Sequence, residues 1–213
     1  MTATEEEIEP GFIHGTVNGY TLVVPKEWRK IPVRKGTDQA IKRILDEAFA
    51  HYSRDEIVQQ RRDVEMRLRD VIKNARQNAG VDLFLPIRTQ NKDMLASFLI
   101  SYAEFGRLDA PSAQAVLGHV KTTLDNANWI ELAGVRGMRT ERVCPPDRDR
   151  DINFASRRVE YLLPVPNTAD SWLVASYSTL GDGDPESELS KLFCDLFDAI
   201  MLTFRWTYRE DQT

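Results

Sequence analysis

The clearest hydrophobic pattern lies in the last third of the chain, where a short apolar strand precedes a helix. Apolar residues recur through residues 189–204 at the i, i+3, i+4, i+7 spacing of one buried helical face. Asp184 suits the N-cap and Pro185 the first helical position. The pattern predicts a strand over Trp172–Ser178 and one long C-terminal helix. Its apolar positions are Leu189, Leu192, Phe193, Leu196, Phe197, Ile200, Met201 and Phe204.

Two adjacent helices are predicted nearer the N-terminus. The first begins at Thr37 or Asp38 and runs to about Tyr52. Ser53 and Glu56 form a Ser-x-x-Glu capping box for the second, which Gly80 ends. Because the connection is short, the pair is expected to pack as a hairpin against a sheet. The buried stripe predicted for the second helix comprises Ile57, Val64, Leu68, Val71, Ile72 and Ala75.

The remaining β-rich segments predict a mainly antiparallel sheet. Asn18-Gly19 lies between two β-prone runs, Phe12–Thr16 and Tyr20–Val24, and predicts a tight hairpin because this pair tolerates positive φ angles. Ala133-Gly134 predicts a second tight turn, and Pro111 opens a shorter helix. Further strands are predicted over residues 81–87, 94–102, 129–132, 135–143, 158–166 and 172–178.

The order of these elements indicates the fold class. Strands and helices do not follow the regular βαβ alternation of a parallel doubly wound sheet. Both long helical regions need burial, so we expect an α+β fold: a three-layer α/β/α sandwich with a central, mainly antiparallel sheet and a long C-terminal helix. Residues 1–10 are predicted to be a disordered acidic tail, and 11–213 a single α/β/α domain.

Composition narrows the classes of partner and compartment. The chain has 213 residues, a formal net charge of -5 and a sequence pI near 5.3, which argues against a nucleic-acid-binding domain. No apolar run is long enough to span a bilayer, so no membrane insertion is expected. Cys144 and Cys194 are the only cysteines, which excludes a disulfide framework. We expect a cytoplasmic protein.

Local signatures of catalysis and metal binding are absent from the sequence. It contains no phosphate-binding glycine loop, nucleophile elbow, H-E-x-x-H or C-x-x-C motif. His14, His51 and His119 are far apart in sequence. The turn Gly181–Asp184 resembles a calcium loop in composition, but its Gly and Glu spacing does not fit an EF-hand. No catalytic residue, cofactor or metal site is therefore predicted, although residues distant in sequence could still assemble one.

Arginines on the second predicted helix are candidates for binding an acidic partner. Arg62, Arg69, Lys73 and Arg76 share approximately one face of this helix. The alternative is an ordinary solvated face, since Asp63 and Glu65 are placed to pair with arginines one turn later.

Two further candidates lie elsewhere. Arg148 and Arg150 alternate with aspartates after Pro145-Pro146, in a pattern that also fits a solvated loop. Trp28 follows the strand-ending Pro25 and is a candidate interface anchor, with core packing as the alternative.

Both ends of the chain are similar to PsbP-like domains. The resemblance rests on residues 20–25 followed by Trp28, and on the strand Trp172–Thr179 leading to a helix that ends near Trp206. The whole chain also resembles uncharacterised actinobacterial proteins of this general kind. The resemblance implies an α/β/α sandwich and a non-enzymatic binder, but it transfers no functional residue.

We therefore expect a non-enzymatic cytoplasmic protein-interaction or accessory domain with a protein partner. The alternative is a small-ligand binder or enzyme, using a pocket between the sheet and the helix pair over residues 37–79. A structural subunit of a larger assembly is a third hypothesis, which would require a large exposed apolar patch.

Overall fold

The main element of the fold is a large antiparallel sheet. The computed structural model describes residues 16–87, 95–104, 118, 126–147, 153–168 and 170–209. Seven strands form one sheet in the order β2-β3-β4-β8-β7-β6-β5, and β1 pairs with β9 in a separate two-stranded sheet. The α+β class and the antiparallel pairing are confirmed. The elements are β1 (Thr16–Thr21), β2 (Trp28–Pro32), α1 (Thr37–Ala48), α2 (Arg54–Gln77), β3 (Gly80–Pro86), β4 (Leu95–Glu104), β5 (Ala127–Leu132), β6 (Val135–Cys144), β7 (Ser156–Pro164), β8 (Ser171–Gly181), α3 (Glu188–Leu202) and β9 (Arg205–Arg209).

Strand β3 contributes to two separate apolar cores. Successive side chains of a strand point to opposite faces of its sheet. Phe84 belongs to the core that contains α3, whereas its neighbour Leu83 belongs to the core that contains α1 and α2. In the first core, Phe84 stacks on Phe98 with ring centroids 4.2 Å apart, and Phe98 lies 5.4 Å from Phe197 of α3. The two helical regions thus bury their apolar faces in different cores.

Helix α3 is shorter than predicted and begins later. It spans 15 residues, and its N-cap is Ser187, whose Oγ accepts a hydrogen bond from the Ser190 amide over 3.2 Å. The prediction of Asp184 as N-cap is wrong, because its Oδ1 instead accepts the Glu186 amide within the preceding turn. Leu192 lies outside the buried face and is 59% exposed.

The predicted N-terminal hairpin is also wrong. Asn18-Gly19 lies inside β1, at an irregularity in its pairing with β9, rather than at a turn. Residues 205–209, which follow α3, form the strand that pairs with β1. The partner of β1 is therefore almost the whole chain away, a contact that no local turn signal encodes. Residues 12–15 lie outside the described part of the chain.

The helix pair is confirmed, with shifted limits. Helix α1 ends at Ala48, before the predicted Tyr52, and Ser53 occupies the N-cap of α2 without a side-chain capping hydrogen bond. Gly80 is the first residue of β3, and an added Cβ there would lie 2.7 Å from the Ala75 carbonyl oxygen. Glycine is thus required by close packing rather than by helix termination.

Other predictions have mixed outcomes. The β3–β4 and β5–β6 antiparallel pairs are confirmed, and Ala133-Gly134 forms the β5–β6 turn with φ angles of 50° and 78°. Strand β2 was not predicted. The tail over residues 1–10, the loop over 88–93 and most of the helix predicted from Pro111 lie outside the described residues.

Replacing Phe197 with alanine is expected to destabilise the fold strongly. Its ring is fully buried and contacts Phe98, Tyr161 and Tyr177 at centroid distances of 5.4, 5.7 and 4.8 Å. We expect a loss of about 3–5 kcal/mol in the free energy of unfolding, measured by urea denaturation. The exposed Leu192→Ala on the same helix should change it by less than about 0.5 kcal/mol. Equal effects of the two substitutions would contradict this core assignment.

Candidate functional site

The structure separates the predicted binding residues. Trp28 lies in β2, is only 6% exposed, and packs on Phe98 with ring centroids 5.4 Å apart. This position corresponds to the core-packing alternative. Arg62, Arg69 and Arg76 lie on α2, and all three are exposed. Arg148 and Arg150 lie outside the described residues.

Helices α1 and α2 are antiparallel and form an outward-facing groove, the α1–α2 groove. Two ion pairs connect the helices along it. Arg69 contacts Asp38 over 2.6 Å near the start of α1, and Arg61 contacts Asp46 over 2.6 Å near its end. Arg69 also contacts Glu65 on its own helix over 2.9 Å. The alternating charges along α2 thus serve partly to join the two helices, and these ion pairs hold the helices at a fixed distance.

The basic end of the groove is a pocket of about 610 Å³ at the start of α1. Four cations and one carboxylate line it: Arg34, Arg69, Lys73, Arg76 and Asp38. The Arg76 guanidinium is fixed by hydrogen bonds from Nε and Nη2 to the Val33 carbonyl, at 3.0 and 2.6 Å. Arg34 and Lys73 are exposed and have no ion pair or hydrogen bond within the described residues. The pocket therefore presents a net positive charge.

The local backbone adds to this positive potential. Helix α1 starts from Gly36, a left-handed N-cap with φ of 79°, and no side chain caps its first amides. The partial positive charge of the helix N-terminus therefore faces the same pocket as the cations.

The other end of the groove is a pocket of about 710 Å³ beside the α1–α2 turn, which we call the apolar end because exposed apolar side chains line it. Its lining also includes charged side chains, namely Lys42, Asp46, Arg61, Arg62 and Glu65. Tyr52 and Val58 line it and are 62% and 63% exposed. Phe49 is half-buried beside Tyr52, at a ring-centroid distance of 6.2 Å. Lys42 and Arg62 border this pocket, and neither has an ion pair within the described residues. Arg62 is thus brought into the same groove as Arg69 and Arg76, but at its other end.

A second cluster of charged groups joins α3 to the sheet. Arg139 contacts Glu141 at 2.7 Å and Asp198 at 2.8 Å, and Arg157 contacts Glu141 at 2.6 Å. Burial raises the pKa of Glu141, but the hydrogen bonds from both arginines outweigh it, so the pKa lies below its usual value. Every one of these groups is paired, which suits a structural role.

The nearby thiol is not activated. Burial and then the charge of Glu141 raise the pKa of Cys194 to about 11. At neutral pH the sulfur is protonated and a poor nucleophile. Cys194 is also buried in the first core, so it acts as a packing residue.

The described residues contain neither a cluster of metal ligands nor a helix that could span a membrane. Within the described residues, no group of three or more His, Cys, Asp or Glu side chains is arranged to hold a metal. His51 is exposed, while His14 and His119 lie outside the described ranges. None of the described helices is both long and apolar enough to cross a membrane.

Comparison with known proteins gives no family assignment. The sequence matches no protein-family model, and no curated protein matches it. The α1–α2 groove is therefore the feature from which a function is inferred.

Only part of this groove was predictable from the sequence. The spacing on one predicted helix indicated Arg62, Arg69, Lys73 and Arg76, but Arg34 lies before α1 and joins them only through folding. A run of basic residues just before a helix N-terminus, here Arg34 and Lys35, was the available signal.

Glu141→Gln is expected to lower the free energy of unfolding at neutral pH. It should also make that free energy fall less as the pH is lowered. A carboxyl whose pKa is lowered in the folded state stabilises the protein above its unfolded pKa, and this contribution disappears as pH falls through the folded pKa. The variant should lose about 1–3 kcal/mol in the free energy of unfolding at about pH 7. Because it lacks this ionisation, the difference from wild type should shrink towards about pH 3, as measured by urea denaturation.

Glu131→Gln on β5 is the control, because Glu131 is exposed and its substitution should change the free energy of unfolding little at any pH. A constant difference between wild type and Glu141→Gln over the whole pH range would contradict the proposed ionic role of Glu141.

Proposed function

We propose that the protein is a non-enzymatic cytoplasmic interaction domain whose α1–α2 groove binds an acidic segment of a partner protein. The observation that supports this proposal is the charge of the basic end. Its pocket is lined by Arg34, Arg69, Lys73 and Arg76, although the formal net charge of the chain is -5. A cluster of cations on a protein of net negative charge creates a local positive potential, which favours an anionic ligand at that place.

The four cations divide into fixed and available groups. Arg69 and Arg76 are held by Asp38 and by the Val33 carbonyl. Such prior ordering reduces the side-chain entropy lost on binding. Arg34 and Lys73 have no partner within the described residues, so an incoming carboxylate would not need to displace an existing ion pair.

The overall charge favours a short acidic segment over a nucleic acid. A long polyanion would approach a protein of net negative charge and be repelled beyond the groove, whereas a short segment would meet only the local positive field.

The alternative, a small-ligand binder or enzyme with a pocket between the sheet and the helix pair, has less support. Ile31, Leu83 and Ile72 fill the contact between the sheet and the helices. The pockets along α1 and α2 are open and line the groove between the helices. An enclosed apolar cavity with converging polar groups is the usual form of a small-ligand site.

We further propose that the whole chain adopts the three-layer α/β/α arrangement of a PsbP-like domain. The two cores on either side of β3 support this arrangement. Because a fold does not determine a function, the binding proposal depends on the groove alone.

Reversing the charge of the two available cations should weaken binding of an acidic peptide. The probe is a fluorescent peptide of about 12 residues rich in glutamate, and binding to the full chain is measured by fluorescence anisotropy. Arg34→Glu with Lys73→Glu should weaken binding at least about tenfold, and wild-type binding should weaken as salt is raised.

A matched control reverses two exposed arginines outside the pockets, Arg43→Glu with Arg67→Glu, and so changes the net charge equally. Circular dichroism checks that both double variants fold. An equal loss of binding in the control, or no binding of the acidic peptide to wild type, would overturn the proposed function.

A further inference from the structure

The α1–α2 groove has two chemically different ends that adjoin. Asp38 and Lys42 are one turn apart on α1, and Arg69 and Glu65 are one turn apart on α2. Asp38 and Arg69 line the basic end, whereas Lys42 and Glu65 line the apolar end. The two pockets therefore follow each other along one pair of helices.

The apolar end suits a bulky apolar side chain with acidic neighbours. Tyr52 and Val58 expose most of their side-chain surface, and the half-buried Phe49 lies beside them. Lys42 and Arg62 border these apolar groups and have no ion pair within the described residues. Burying an apolar group here would remove the Tyr52 and Val58 surfaces from water. Carboxylates beside that group would meet Lys42 and Arg62, because the two lining carboxylates, Asp46 and Glu65, already pair with Arg61 and Arg69.

The dimensions fit one helical segment. Val58 and Lys73 line opposite ends of the groove and are 15 residues apart on α2, which corresponds to about 22 Å along a helix axis. This length corresponds to about four helical turns. Laying an amphipathic helix in a groove is a recurrent mode of peptide recognition, in which side chains of one helix face contact the receptor.

We infer that the ligand of the groove is an amphipathic helical segment of a partner protein, acidic over the basic end and carrying a bulky apolar side chain over the apolar end. This inference rests on the proposed function and specifies its partner. An anionic lipid surface shares the same charge and apolar chemistry, but a concave groove between helices matches a rod-shaped ligand better than a flat bilayer.

The test uses three fluorescent peptides of about 15 residues. The first has glutamates in its first two turns, and leucine and tryptophan in its last two turns. The second replaces the apolar residues with alanine, and the third replaces the glutamates with glutamine. The first should bind the full chain at least about tenfold more tightly than either relative, because it alone occupies both ends.

Variants of the protein assign each half of the peptide to its end of the groove. Val58→Asp should weaken binding of the first peptide about tenfold and leave the alanine-substituted acidic peptide unchanged. Arg34→Glu with Lys73→Glu should weaken both. Val64→Asp introduces the same charge at an exposed α2 position outside the two pockets and should have little effect on either peptide.

The outcomes distinguish this inference from the proposed function. Equal affinity for the first and second peptides, with no effect of Val58→Asp, would overturn the two-part ligand but leave acidic binding intact. Failure of every acidic peptide would overturn both. Binding to phosphatidylserine vesicles that competes with the first peptide and is lost in Val58→Asp would replace the peptide with a membrane surface.

Discussion

The alternation of side chains along β3 is the constraint on which the described structure depends. Leu83 and Phe84 are neighbours in sequence, yet they belong to different cores. A shift of one residue in the pairing of β3 with β4 would exchange their environments and disrupt both cores at once. The positions of α1 and α2, and with them the α1–α2 groove, therefore depend on the same strand register as the packing of α3.

The two-stranded sheet is attached to the first core by an aromatic stack and by a side-chain hydrogen bond, both from Tyr20. Tyr20 of β1 stacks on Phe204 with ring centroids 5.7 Å apart, and its hydroxyl donates to Asp82 of β3 over 2.5 Å. Burial and then this hydrogen bond raise the pKa of Tyr20 well above its usual value. The apolar stack supplies buried area, while the hydrogen bond, together with Lys30 Nζ at 3.7 Å, compensates the burial of the Asp82 carboxylate.

Periodicity predicted the elements that bury one clear face, and failed where tertiary contacts override a local signal. The helices and the β5–β6 hairpin follow from spacing and turn residues. Asn18-Gly19 was misassigned because a distant strand, β9, supplies the partner of β1. Val64 and Val71 were assigned to a buried stripe, but they are 40% and 47% exposed because the cores take only a narrow face of α2. Arg34 joined the groove only through the packing of α1 against α2.

The close junction at Gly80 also restricts how α2 can move relative to the sheet. Only Asn78 and Ala79 separate α2 from β3, and Gly80 lies so near the Ala75 carbonyl that a single Cβ would not fit. The direction of α2 is therefore coupled to the start of β3, where Gly80 pairs with Ser101 of β4. A change in the direction of α2 would have to move the start of this strand as well.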